Sequence, residues 1–159
     1  MKKLAIVIVM ILIFSGCASK IDENQLIYNS YVEELTELKL TTTSKKIVDV
    51  DIELEEEKGE ISYRVTIDNP RVVMNDVEAI VYHTSKTSDI YPTIGVFDKK
   101  INLVPNLKKN KDDNVKGVVL AGYIKSKKSL DEFHTTFKVM ILYNDKNNER
   151  KKIYYSKKV

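Results

Sequence analysis

Residues 48–67 decide the fold, and they read VDVDIELEEEKGEISYRVTI. Apolar and acidic side chains alternate over 48–55, and apolar residues occupy every second position again over 61–67. A period of two is typical of a strand with one buried face and one solvated face. Between the two runs, Glu57-Lys58-Gly59 has the composition of a tight turn. The stretch therefore predicts a β-hairpin with its acidic side chains in solvent.

Further extended segments follow the hairpin. We expect strands over 77–83, 93–97, 100–104, 115–125, 135–143 and 150–155. The segment 115–125 is strongly apolar and predicts a central strand, with Val119 in the core as Val65 is in the hairpin. About seven short strands without a helical period predict a mainly β fold, an immunoglobulin-like antiparallel β-sandwich over residues 47–159. A small barrel is the alternative.

One helix is expected before the strands, over residues 22–40. Asp22 and Gln25 have the spacing of a capping box. The apolar residues recur at helical spacing and form one stripe: Ile27, Tyr28, Tyr31, Val32, Leu35 and Leu38. We expect this stripe to pack on the sandwich, and docking onto another protein is the alternative.

The N-terminus has the organisation of a signal peptide. Lys2 and Lys3 precede an apolar run over residues 4–14, and Ser15-Gly16-Cys17 follows it. This pattern resembles the lipobox of bacterial lipoproteins. The resemblance implies removal of residues 1–16, a diacylglyceryl thioether on Cys17 and a short tether over residues 17–21. An uncleaved anchor is disfavoured, because a membrane-spanning helix needs about 20 apolar residues.

Charge and cysteine content limit the function classes. The net charge of +3 includes Lys2 and Lys3, so residues 17–159 carry +1. This near balance argues against nucleic acid as a partner, because phosphate binding needs a concentrated basic surface. Cys17 is the only cysteine, so an acylated chain has no thiol for a disulfide, a metal or catalysis. The abundance of Lys, Ile and Asn suggests a Gram-positive source.

Four segments carry a second resemblance. Tyr63–Pro70, Tyr91–Phe97, Asn102–Pro105 and Lys116–Gly122 resemble segments of small uncharacterised Gram-positive lipoproteins. The likeness covers most of residues 60–145. It implies the same fold and location and adds no activity.

The sequence offers little catalytic chemistry. Successive carboxylates of the stripe Asp49, Asp51, Glu53 and Glu55 lie about 6.6–6.8 Å apart along a strand, too far for neighbours to share one Ca²⁺. We therefore interpret the stripe as a solvated face. Neither His83 nor His134 lies in a nucleophile or metal motif. We expect a non-enzymatic protein with no cofactor and no metal.

Binding residues are instead expected in loops. Tyr91 and Phe97 lie in a long connection, and Lys108, Lys109 and Lys111 form a basic cluster. Such a surface suits an anionic polymer, lipid headgroups or an envelope protein. We expect a lipid-anchored binding or assembly module on the extracytoplasmic face of the cell membrane. The alternative is an accessory subunit that docks onto a membrane complex through its helix, and an enzyme acting on envelope polymers is a more distant one.

Overall fold

The computed structural model describes residues 23–39, 47–85, 93–94 and 99–159. The helix α1 spans Glu23–Glu37 and precedes all the strands of this part of the chain. The strands are β1 (Asp49–Glu57), β2 (Glu60–Asp68), β3 (Asn75–His83), β4 (Thr93–Ile94), β5 (Asn102–Leu103), β6 (Asn114–Val115), β7 (Gly117–Lys125), β8 (Thr136–Asn144) and β9 (Arg150–Lys158). A single 3₁₀ turn, Leu130–Glu132, lies between β7 and β8 in the described chain.

The strands form two antiparallel sheets and one short parallel pair. The first sheet has the order β1-β2-β7 and the second β4-β3-β8-β9, while β5 pairs with β6. In immunoglobulin lettering these sheets are A-B-E and C′-C-F-G, so the chain crosses between sheets as it does in that fold. The predicted β-sandwich is confirmed, and the barrel alternative is wrong.

The predicted hairpin forms with an uninterrupted register from Asp49↔Asp68 to Glu57↔Glu60. Its turn consists of Lys58 and Gly59, whose φ angles of 44° and 87° are both positive. Two consecutive positive φ values define the type I′ turn that matches the twist of paired strands. Asp51, Glu53 and Glu55 are exposed, so the carboxylate stripe is a solvated face as predicted.

The core lies between the two sheets. Val65 of β2 is fully buried, and Tyr63 contacts Phe137 of β8 with their ring centroids 5.1 Å apart. Burial of apolar side chains from both inner faces holds the sandwich together.

Strand β7 corrects the sequence analysis. It is the edge strand of its sheet rather than a central one, since β2 is its one hydrogen-bonded neighbour among the described strands. Leu120 and Ile124 point into the core, whereas Val119 is 54% exposed and Tyr123 is 56% exposed. The prediction that Val119 lies in the core is wrong, because an apolar residue on the outer face of an edge strand looks the same in sequence as a core residue.

The helix α1 packs on the outer face of the second sheet. Leu35 is fully buried against Ile80, Met140 and Leu142, with Tyr28, Tyr31 and Val32 at the margin of the cluster. The expectation that the stripe packs on the sandwich is confirmed. At the N-terminus of the helix, the side chain of Gln25 donates to Asn29 (2.9 Å), and Asp22 lies outside the described residues.

Candidate functional site

The basic cluster of the sequence lies on a loop, residues 104–113, that we call the lysine loop. The strand β5, which directly precedes the loop, is fixed to the body of the protein through Leu103, which is fully buried. Leu103 and Met74 exchange both backbone hydrogen bonds, at 3.0 and 2.9 Å. The loop therefore leaves the sandwich from a rigid base.

The two ends of the lysine loop are joined. The N–H of Asn102 donates to the carbonyl of Asp113 (2.8 Å), and the Asn102 side chain donates to Asn114 Oδ1 (3.1 Å). Lys111 and Asn114 exchange two further backbone bonds at 3.0 and 2.9 Å. A loop whose ends meet in this way is a compact Ω-type loop, a form that often carries function.

The side chains of the lysine loop carry charge into solvent. Lys108, Lys109 and Lys111 are exposed, as are Asp112 and Asp113. The structure therefore brings together the three lysines that the sequence analysis selected and places two carboxylates at the end of the same loop. Lysine ammonium groups at such an exposed position can contact phosphate or carboxylate groups of a large anionic partner.

A shallow depression of about 540 Å³ adjoins the lysine loop, and Leu107 and Lys116 line it together with Arg71. The guanidinium of Arg71 lies 2.7 Å from the carboxylate of Asp49, and both groups are about half exposed. The ion pair compensates part of the positive charge, so this depression adds little to the loop as an anion site. Sequence reasoning missed Arg71, which no motif connects with a loop more than thirty residues further along the chain.

The lysine loop and the N-terminus of α1 lie at the same end of the sandwich. The hydroxyl of Tyr31 donates to Glu78 near the start of β3 (3.2 Å), whereas Lys138 near the start of β8 donates to Leu38 at the end of the helix (3.0 Å). The helix thus runs in the direction of β3. The eight residue steps from Glu23 to Tyr31 extend about 12 Å along the helix, which brings Glu23 level with the start of β3, where Leu103 holds the loop.

Polar contacts hold the helix beside the apolar cluster where it packs on the second sheet. Lys152 donates to Glu34 (2.6 Å), and the Tyr154 hydroxyl donates to the other oxygen of the same carboxylate. Burial raises the pKa of Glu34, but the hydrogen bonds from Lys152 and Tyr154 outweigh burial and hold the pKa below its ordinary value. Burial and the hydrogen bond to Glu34 raise the pKa of Tyr154 to about 12. These contacts join α1 to β9.

The remaining candidates do not form a reactive site. His83 is buried in the core beside Tyr63 and Phe137, with ring centroids 5.8 and 6.0 Å away, whereas His134 is exposed. Within the described ranges, no group of three His, Cys, Asp or Glu side chains has the geometry to hold a metal. Cys17, Tyr91 and Phe97 lie outside the described residues.

Comparisons add no relative to this description. None of the helices in the described part of the chain is long and apolar enough to cross a membrane. No protein-family model, curated protein or solved structure matches this chain.

Proposed function

We propose that this protein is a lipid-anchored module on the extracytoplasmic face of the cell membrane that binds an anionic partner without catalysis. The support for the anchor is the lipobox-like sequence that ends in Ser15-Gly16-Cys17, preceded by the apolar run over residues 4–14. The support for the binding role is the lysine loop, which projects three exposed ammonium groups from a rigid base.

One observation carries the proposal: the lysine loop and the first residue of α1 share one end of the sandwich. Cys17 precedes Glu23 by six residues, and a chain of that length spans at most about 20 Å. A lipid on Cys17 therefore keeps this end within about 20 Å of the bilayer. A lysine that comes within a Debye length, about 8–10 Å, of an anionic bilayer surface contributes about 1 kcal/mol of attraction. We take anionic headgroups as the partner of the loop.

The packing of α1 weakens the accessory-subunit alternative. The helix would dock onto a membrane complex through its apolar stripe, but Leu35 at the centre of that stripe is fully buried against the second sheet. A partner would have to displace the helix from this seat. Leu26 is the exposed apolar residue of the helix, at 52% exposure. A single leucine side chain offers too little area for a stable interface.

The anchor is tested by metabolic labelling of the full chain with an alkyne fatty acid. We expect wild type to incorporate the label and Cys17→Ala to lose it and to leave the membrane fraction or accumulate as precursor. Label on both chains to the same level would contradict the proposed anchor.

The headgroup contact is tested on the lipidated protein in vesicles with an amine-reactive reagent and peptide mass spectrometry. In vesicles of anionic phosphatidylglycerol, we expect Lys108, Lys109 and Lys111 to react several-fold more slowly than in neutral phosphatidylcholine. High salt should restore their reactivity. At a protein density low enough to keep the chains single, Lys127 and Lys128, exposed after β7 at the other end of the sandwich, are matched controls and should react equally in both. Equal reactivity of the loop lysines in the two vesicles would refute this contact.

A further inference from the structure

The three long edge strands of the sandwich differ in their charge. The edge strand β1 reads DVDIELEEE, and the edge strand β9 reads RKKIYYSKK. The edge strand β7 reads GVVLAGYIK and carries one charge, Lys125, at its last position. Charged side chains on an edge strand prevent it from pairing with another sheet, whereas a long apolar edge without proline is a template for pairing. Of these three edges, β7 is therefore the one suited to accept a strand.

The backbone of β7 presents alternate residues to its free side. Ser126 donates its N–H to the carbonyl of Gly59 on the β2 side (3.4 Å). Because hydrogen-bonded residues alternate along an antiparallel pair, the even-numbered residues of β7 bond to β2. The odd-numbered residues, including Val119, Ala121 and Tyr123, direct their N–H and C=O groups away from it. In the described structure β7 has no second strand neighbour.

The same odd-numbered residues project their side chains from the outer face of the sheet. Val119 and Tyr123 are more than half exposed, and Ala121 between them is exposed as well. Three exposed apolar side chains therefore follow one another along the edge that also has free backbone groups. A strand added at this edge would cover both.

We propose that the occupant of this edge is β7 of a second copy of the chain, antiparallel, with the two-fold axis at Ala121. Ala121 is the middle residue of the nine in β7, so this register pairs the whole strand. It also pairs odd-numbered residues with odd-numbered residues, which brings the free backbone groups of both copies opposite each other. Each Val119 then faces the second copy's Tyr123, an aromatic and β-branched pair that stabilises sheets. A two-fold axis makes every such contact occur twice.

Charge complementarity supports the same register. It places Lys125 of one copy opposite Gly117 of the other, and Gly117 pairs with Asp68 on β2. Since Gly117 has no side chain, the second copy's Lys125 can reach over it toward Asp68, which lies two strand spacings, about 9.5 Å, away. Any side chain at position 117 would meet Asp68, because a Cβ there would lie 2.7 Å from the Cβ of Asp68. The two copies thus join their three-stranded sheets into one, with an ion pair at each end of the seam.

An antiparallel pair directs the lysine loops of the two copies to opposite ends of the paired strands, so both lipid anchors reach one bilayer only when β7 lies along its surface. The pairing itself does not rest on the proposed anchor, and cysteine cross-linking of the full chain in bacterial membranes tests it. Paired residues in an antiparallel ladder have Cα atoms about 4.5–5.5 Å apart, within the span of a disulfide. Under mild oxidation, Ala121→Cys should give a dimer in which mass spectrometry finds residue 121 linked to residue 121. Val119→Cys alone should stay monomeric, because residue 119 of one copy lies four residues from residue 119 of the other along the paired strands.

Co-expression of Val119→Cys with Tyr123→Cys should restore the cross-link through a 119–123 disulfide. Arg64→Cys is the matched control: it lies on the same exposed face, on the central strand β2, and should not cross-link. Absence of the 121–121 peptide, or cross-linking of Arg64→Cys to the same extent, would overturn the proposal. So would a disulfide between Ala121→Cys and a different protein in place of the dimer. If wild type itself forms a disulfide dimer through Cys17, the proposed lipid anchor is contradicted. The strand pairing is still decided by whether the 121–121 disulfide peptide is found.

Discussion

The ammonium group of Lys138 on β8 lies 2.9 Å from the carbonyl oxygen of Leu35 in the last turn of α1. It also donates to the carbonyls of Thr36 (3.3 Å) and Leu38 (3.0 Å). The last carbonyls of a helix have no partner within the helix and carry partial negative charge. A lysine from the sheet thus serves as the C-terminal cap of a helix about one hundred residues earlier in the chain.

Replacing Lys138 by Met should therefore loosen the end of α1 while keeping the aliphatic part of the side chain. We expect the free energy of unfolding to fall by about 1–2 kcal/mol, since hydrogen bonds to a charged donor contribute about 1.5–3 kcal/mol and this one is half-buried. Lys146→Met in the exposed β8–β9 turn is the control and should change it by less than about 0.5 kcal/mol. Denaturant unfolding measures both, and equal effects would refute the cap.

The packing of α1 on the sheet can be tested with two leucines of the same helix. Leu35→Ala should cost about 2–5 kcal/mol, because Leu35 is fully buried. Leu26→Ala, at a position that is 52% exposed, should cost less than about 1 kcal/mol. Thermal melting of dilute protein separates packing on the sandwich from association with a partner. An unchanged melting temperature for Leu35→Ala would mean that the helix does not pack there in solution.

The contact of Glu34 with Tyr154 predicts a pH dependence in two windows. The pKa of Glu34 in the folded protein is lowered. Its contribution to the free energy of unfolding is therefore fully present above the ordinary glutamate pKa and is lost as the pH falls through the folded pKa. The pKa of Tyr154 is raised to about 12, so its contribution is present below the ordinary tyrosine pKa and is lost as the pH rises toward 12.

Two variants measure these windows. Compared with wild type, Glu34→Gln should be less stable near pH 7, and the difference should disappear in acid. Tyr154→Phe should reduce the loss of stability above pH 10. A constant difference between Glu34→Gln and wild type from pH 3 to pH 7 would show that the carboxylate charge does not hold the helix.

The two faces of the first sheet predict opposite results for one substitution. Val65→Asp places an uncompensated charge at a fully buried position and should unfold the domain, whose total stability is about 5–15 kcal/mol. Val119→Asp lies on the exposed outer face and should leave the melting temperature of the monomer nearly unchanged. Circular dichroism decides between these outcomes, and an unfolded Val119→Asp monomer would place that residue in the core after all.

Gly122 permits the close packing of Tyr63 against β7. A Cβ at position 122 would lie 2.5 Å from the Tyr63 hydroxyl oxygen and 2.6 Å from Cζ. Gly122→Ala should therefore destabilise the domain by about 1–3 kcal/mol, as overpacking of a core does. Ala121→Ser on the exposed side of the same strand is the control. If the two variants unfold at the same denaturant concentration, Tyr63 does not occupy this place in solution.

The sequence predicts local structure better than it predicts neighbours. The β1–β2 hairpin follows from the alternation over 48–55 and from Lys58-Gly59, whose positive φ angles the turn requires. The edge position of β7 could not be predicted, because it depends on which strands fail to pair with it. The partners of Lys138 likewise come from a distant helix, and no local pattern identifies them.

The candidate site shows the same limit. Lys108, Lys109 and Lys111 could be selected from the sequence because they are close together in it. Their position at the same end of the sandwich as Glu23 comes from the helix packing on the second sheet. Arg71 could not be selected, since only the fold brings it to the same depression as Lys116.

Intact-mass spectrometry of the full chain recovered from bacterial membranes tests the central claim, that the protein is anchored by a lipid on Cys17. We predict a mass that lacks residues 1–16 and exceeds that of residues 17–159 by one diacylglyceryl group, with or without a further acyl chain on the new N-terminus. The modification should map to the peptide that begins with Cys17. A chain recovered with residues 1–16 still attached, or with an unmodified Cys17, would contradict the account.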